Sequence, residues 1–277
     1  MHVVGNTIYK FGGAYGSWEC AGEGGLHVYS SAVSDPSQWT DHGAVLPAKF
    51  SYGGISAIVG DSIYLFSSAC GSNIFKAPLS DPIHGWVDTG IPMLSSSPYF
   101  VGLVEDSDNL YLMGGGAAND EIWAASKADP LTWSDTAFRL PGSAQYKNLI
   151  EKNGTVYIVG YGANLEVWKA PTASLSSWER LTTSANIPAN AGTALVIGEY
   201  AYILGGHNDD AVYRAPFSDI QKWEVLSVRL PPQGFWGYSW IRITDSIYVF
   251  GGDRSDPNDG YRGNSTIIRA DISYVTQ

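Results

Sequence analysis

Six times along the chain an apolar strand with a central tyrosine runs into glycine or a replacement for it. The copies are Ile8-Tyr9-Lys10-Phe11-Gly12-Gly13, Ile63-Tyr64-Leu65-Phe66, Leu110-Tyr111-Leu112-Met113-Gly114-Gly115, Val156-Tyr157-Ile158-Val159-Gly160, Ala201-Tyr202-Ile203-Leu204-Gly205-Gly206 and Ile247-Tyr248-Val249-Phe250-Gly251-Gly252. From Tyr64 onward the tyrosines stand 47, 46, 45 and 46 residues apart. A period of that length built from short strands predicts an all-β, six-bladed β-propeller, because one such unit cannot bury both its faces alone. The blades fall at about residues 1–47, 48–94, 95–141, 142–188, 189–231 and 232–277 of one propeller domain.

Residues 52–91 show a whole unit. Residues 54–59 read as a first strand, Gly60-Asp61 as a tight turn, 62–67 as a second strand and 74–78 as a third. Ser80-Asp81-Pro82 turns the chain again, and Trp86 opens the fourth strand. That tryptophan recurs as Trp39, Trp133, Trp178 and Trp223. A residue repeated in every blade serves the repeat, so these indoles are expected as wedges between blades and not as a sugar platform.

The last repeat aligns on the fifth with Ile268 opposite Tyr213, and a sixth tryptophan would fall just after Gln277. Blade six is therefore expected to have three strands, or a weak fourth, with a further chain or domain covering its edge.

The chain is 44% hydrophobic and only 16% charged, which suits a large core and excludes disorder. A net charge of −11 excludes nonspecific binding to nucleic acid. No apolar run reaches the roughly 20 residues of a membrane span, and no charged segment precedes an apolar stretch near Met1 to mark a secretion signal. Cys20 and Cys70 both follow second strands, so their loops share a face of neighbouring blades. A disulfide between them is geometrically allowed, with two free thiols as the alternative.

The glycine doublet, the strand-three aromatics (Tyr29, Phe75, Trp123, Trp168, Tyr213), the strand-four tryptophans and the later Leu46-Pro47, Leu140-Pro141 and Leu230-Pro231 together resemble the kelch family over the whole chain. The second repeat departs from it with Ser67-Ser68, and the fourth with Tyr161. The resemblance implies a propeller and, in many relatives, protein or glycan recognition; it carries no activity. A weaker, compositional similarity is to phage or viral attachment propellers and propeller lectins, which favours an extracellular or virion-associated setting.

Up-and-down strand order sends the strand 2–3 loops and the inter-blade loops to one face, where sequence varies most. Blade one carries an insertion with Tyr15 and Trp18, and blade six one with Asp253, Arg254, Tyr261 and Arg262. Ring closure brings these two insertions side by side. Phe235, Trp236 and Tyr238 enter blade six, and Tyr52, Tyr99, Tyr146, His207 and Asn208 come from the other blades. Aromatics mixed with Asn, Asp and Arg provide what a sugar or peptide needs, a flat apolar surface and convergent hydrogen bonds. Packing of the channel mouth would use the same residues.

Asp253, Asp256, Asn258 and Asp259 are rich in oxygen, but their spacing is not that of a twelve-residue calcium loop. A solvated acidic loop is the expectation there, with a calcium site as the less favoured alternative and no other metal or cofactor. No nucleophile elbow, zinc motif or phosphate loop occurs. Glu121 and Glu166, at equivalent strand-three positions with Asp210 in the next blade, are the weak candidates for acid–base work on a glycoside. The expectation is a non-enzymatic module that binds a glycan or surface receptor through one asymmetric site. A polysaccharide hydrolase or lyase and a protein-interaction scaffold are the alternatives.

Overall fold

A computed structural model of the chain describes residues 1–13, 23–50, 54–66, 73–92, 100–114, 120–141, 148–159, 166–181, 193–206, 209–230, 239–250, 253–256, 260–263 and 267–272. Blade one is built from β1 (His2–Val4), β2 (Thr7–Phe11), β3 (His27–Ala32) and β4 (Asp35–Ala44). Blade two has β5 (Ile55–Val59), β6 (Ser62–Phe66), β7 (Asn73–Pro78) and β8 (Val87–Pro92). Blade three has β9 (Phe100–Glu105), β10 (Asn109–Gly114), β11 (Glu121–Ser126) and β12 (Asp129–Arg139). Blade four has β13 (Asn148–Lys152), β14 (Thr155–Val159), β15 (Val167–Pro171) and β16 (Glu179–Leu181). Blade five has β17 (Thr193–Ile197), β18 (Tyr200–Gly206), β19 (Asp209–Pro216) and β20 (Glu224–Arg229). In blade six, β21 (Ser239–Ile243) and β22 (Ser246–Phe250) pair with β25 (Ile267–Asp271), while β23 (Asp253–Asp256) and β24 (Gly260–Gly263) make a separate hairpin.

Each of the first five sheets runs in sequence order, antiparallel throughout, and the sixth has three strands among the described residues. The chain is thus a six-bladed β-propeller, whose last blade has three strands among the described residues. Second strands lie between sheets that press on both faces. This is why Ser62–Phe66 is buried at every position and reads as a continuous apolar run where a half-exposed strand would alternate. Fourth strands face water, and their side chains include exposed Val87 and Val225.

The repeat pattern has a packing cause. In blades one to four and six, the last large apolar residue of the second strand lies in one core with the fourth-strand tryptophan of the following blade. Phe11 meets Trp86 edge-on at 5.0 Å between ring centroids, and Phe66 meets Trp133 at 5.1 Å. Met113 shares a core with Trp178, and Val159 with Trp223. Phe250 of blade six meets Trp39 of blade one at 5.2 Å, which closes the ring. The small residue on strand three leaves room for the indole. It is Ser31, Ala77, Ala125, Ala170 or Ala215 in the five complete blades, always at most 4% exposed, and Ala125 stands directly opposite Trp133 in the ladder.

The indole N–H is satisfied where the preceding turn contains proline. Trp39, Trp86 and Trp133 donate to the carbonyls of Pro36, Pro82 and Pro130 at 2.9–3.0 Å. In blades four and five a 3₁₀ turn replaces that proline (Thr172–Ser174 and Phe217–Asp219), and the indole N–H groups of Trp178 and Trp223 are buried without an acceptor.

The glycine doublet also has a cause. Gly12 has φ +60°, and a Cβ there would lie 1.7 Å from the carbonyl oxygen of Phe50 in the linker to blade two. That linker is tied down by bonds from Gly13 N–H to Phe50 O and from Phe50 N–H to Gly25 O.

The insertion after β22, expected as a solvated loop, holds the β23–β24 hairpin. Eleven residues run from Asp253 to Gly263, and the two short strands pair their backbone groups with each other.

Candidate functional site

The variable face is where third strands begin and fourth strands end. Each of the first five blades places polar groups there and binds them internally. In blade one, His27 Nδ1 lies 2.9 Å from Asp41 Oδ1. In blade two, Asn73 Nδ2 donates to Asp88 at 2.9 Å. In blade three, Arg139 grips both oxygens of Asp135 at 2.9 Å each, and the Trp123 indole donates to Glu121 at 3.1 Å. In blade four, the Trp168 indole donates to Glu166 at 2.9 Å and Arg180 pairs with the same carboxylate at 2.7 Å. In blade five, the Tyr213 hydroxyl donates to Asp209 at 2.6 Å, and Arg229 lies 3.8 Å from Asp210.

The aspartates of the first three blades form a motif that the search for catalytic patterns passes over. Asp41, Asp88 and Asp135 each follow their tryptophan by two residues. Each accepts the backbone N–H two residues further on at 2.8 Å, from Gly43, Gly90 and Ala137. Those acceptor turns need positive φ (80°, 69° and 60°), which explains the glycines. In the sequence the signal is Trp-x-Asp-x-Gly in blades one and two, with Ala137 in the glycine place in blade three. Burial alone would raise Asp41, but the Gly43 N–H and the His27 ring outweigh it and hold its carboxyl below the usual range. The Arg139 guanidinium, helped by the Ala137 N–H, does the same for Asp135. Burial, reinforced by Asp209, pushes the Tyr213 hydroxyl up, so it stays a donor.

These bonds include the weak catalytic candidates. Glu121 and Glu166 are indeed equivalent, each two residues before a tryptophan whose indole it accepts. Asp210 does not continue the series, because Ala211 pairs with Arg229 where Glu121 pairs with Arg139. Each of the three acids thus has a side-chain neighbour within its own blade: Trp123 for Glu121, Trp168 and Arg180 for Glu166, and Arg229 for Asp210.

Of the expected ligand contacts, Tyr15, Trp18, Tyr52, Tyr99, Tyr146, His207, Asn208, Phe235, Trp236 and Tyr238 lie outside the described residues, as do Cys20, Cys70, Asn258 and Asp259. The backbones of Asp253, Arg254, Asp256, Tyr261 and Arg262 are described. They form the β23–β24 hairpin, in which Arg254 stands opposite Arg262 and Ser255 opposite Tyr261. Among the described residues no three His, Cys, Asp or Glu side chains group as metal ligands. Among the same residues no helix is long and apolar enough to cross a membrane.

No family model and no curated protein matches the chain. A solved structure of YjhT superposes with a TM-score of 0.62 at 17% identity, covering 81% of this chain and 84% of that one. At that identity the likeness shows the fold. In all, 441 chains of solved structures match, so the shape is common and cannot by itself specify a ligand.

Proposed function

We propose that the protein is a recognition module that binds a glycan, or a glycan-bearing surface receptor, through one asymmetric site where blades six and one meet. The observation that carries this reading is the β23–β24 hairpin. It stands apart from the blade-six sheet on the variable face, and ring closure through Trp39 and Phe250 makes blade one its neighbour. No other blade has a second hairpin among the described residues. Its register sets Arg254 opposite Arg262.

A binding role also fits the carboxylates of the face, each engaged inside its own blade. The kelch resemblance and the attachment-protein composition agree with it and suggest an extracellular or virion-associated setting. The enzymatic alternative rests on Asp210, whose carboxylate lies 3.8 Å from Arg229.

The test is a glycan array probed with the full chain, followed by a reducing-sugar release assay on every hit. Binding of a narrow glycan set without release is expected, reduced in the Trp236→Ala variant and unchanged in Glu121→Gln and Glu166→Gln. Sugar release that disappears in Asp210→Asn would replace this reading with a hydrolase.

A further inference from the structure

Second strands face a neighbour on each side, and alternate residues serve the two. Ile63 and Leu65 share a core with Phe11 and Val28 of the preceding blade. Tyr64 and Phe66 share one with Leu110 and Leu112 of the following blade. The ladder puts Lys10 in the place of Leu65, since Lys10 pairs with Tyr29 as Leu65 pairs with Phe75. Lys10 therefore points from blade one toward blade six, across the seam that Trp39 and Phe250 close. The same register gives Leu112, Ile158, Ile203 and Val249 in the remaining blades. Those four and Leu65 are at most 4% exposed. This seam carries an amine where the repeat calls for a hydrocarbon.

Taking an ammonium out of water is costly unless an opposite charge meets it. Lys127, Lys152, Lys169 and Lys222 each pair with a carboxylate. Among the described residues Lys10 pairs with none, and it lies over the Tyr29 ring, 5.2 Å from the centroid. Its Nζ stands 3.5 Å from where a Cβ on Gly13 would be, so the side chain runs past the end of β2 toward the variable face. Burial pulls its pKa below the ordinary lysine value.

Tyr29 departs from its equivalents in the same direction. Trp123, Trp168 and Tyr213 each donate to an acid of their own blade. In blade one the nearby acid is Asp41, and it is taken by His27 Nδ1 and the Gly43 N–H. The Tyr29 hydroxyl donates to no group among the described residues. Burial, with Asp41 adding to it, raises the pKa of this phenol, so it stays a donor. The His27 ring lies against Tyr29, with centroids 6.0 Å apart. Blade one thus brings two donors together, one of them charged, without an acceptor for either among the described residues.

We propose that Lys10 and Tyr29 form an anion subsite at the blade six–one seam. The ammonium takes the carboxylate or sulfate of an acidic sugar, and the phenol donates a second bond. This rests on the recognition reading and narrows it from glycans in general to acidic ones. A position where one blade alone breaks the pattern of the repeat is where a function is expected, and this blade borders the one that carries the β23–β24 hairpin. A charge-assisted bond in a half-buried place supplies the preference.

The probes are oligosaccharides of a hexuronic acid and sulfated galactose oligosaccharides, titrated into the full chain by calorimetry. Each is compared with its uncharged counterpart, the methyl ester or the desulfated sugar, and the two arms tell carboxylate from sulfate. An acidic probe is expected to bind at least about tenfold more tightly than its counterpart, as for a hydrogen bond to a charged group. Lys10→Leu, which installs the residue of blade two, should remove that preference while the melting temperature holds or rises. A lysine with only a structural role would not give that pattern. Tyr29→Phe should weaken the acidic probe about three- to tenfold and leave the uncharged one unchanged. Equal affinity for charged and uncharged probes, an unchanged preference in Lys10→Leu, or no binding of any acidic probe would overturn the inference. The recognition reading is refuted separately, by a blank glycan array.

Discussion

The indole of Trp39 stands edge-on to the ring of Phe250, with centroids 5.2 Å apart and planes at 81°. The contact repeats the geometry of Phe11 with Trp86 and of Phe66 with Trp133, at 70° and 78°. The difference is that it joins the last blade to the first. The same wedge that stacks neighbouring repeats therefore also closes the ring. Closure in turn makes blade one the neighbour of the blade-six hairpin.

Gly12 is held at positive φ with the Phe50 carbonyl against it. Gly12→Ala should therefore cost about 2–4 kcal/mol, combining backbone strain with a contact that the linker must move to relieve. Urea denaturation checks this, and a loss below about 0.5 kcal/mol would mean that the linker is not seated as described.

The two classes of tryptophan should respond differently to phenylalanine. Trp86→Phe removes a bond to Pro82 O and should cost about 1 kcal/mol more than Trp223→Phe, whose indole N–H has no acceptor to lose. Paired denaturation curves give the difference.

Ala137 sits at φ 60°, where the equivalent residues of blades one and two are Gly43 and Gly90. Ala137→Gly should stabilise the protein by about 0.5–1 kcal/mol, since relief of the left-handed strain exceeds the added chain entropy of glycine. A lower melting temperature would contradict the motif.

His2 Nε2 lies 2.8 Å from Ser56 Oγ across the blade one–two boundary, and burial pushes its pKa down from 6.5 to about 3. Below pH 6.5 the unfolded chain takes up a proton that the folded chain refuses until about pH 3, so stability falls as the pH drops through that window. Melting temperatures measured from pH 6.5 to 4.5, above the range of most carboxylates, should decline less steeply in His2→Gln than in the natural chain.

Much of this architecture could be read from residues alone. Period, strand identity and the three strands described for blade six follow from apolar runs, turn residues and the alignment of Ile268 on Tyr213. Such patterns are local, or are repeated often enough to average out noise. The wedge role of Trp39 and its equivalents followed from repetition in the same way. Other features were not legible. The Trp-x-Asp-x-Gly turn fades after blade three, where Arg180 and Val225 replace the aspartate. The engagement of Glu121 by Trp123, and of Glu166 by Trp168 and Arg180, depends on how third and fourth strands pair. Spacing within one strand does not report it. The hairpin after β22 was hidden because Asp, Ser, Asn and Gly dominate it and give no alternation of apolar residues.

Closure of the six blades into a ring is what every functional statement here depends on, and a double-mutant cycle on Trp39 and Phe250, residues far apart in sequence, measures it directly. Single alanine variants and the double variant are unfolded in urea under identical conditions. A closed ring predicts a coupling of about 1 kcal/mol between the two sites, in the range of an edge-on aromatic pair. Strict additivity, to within about 0.3 kcal/mol, would mean that the two rings do not meet and that the ring is open.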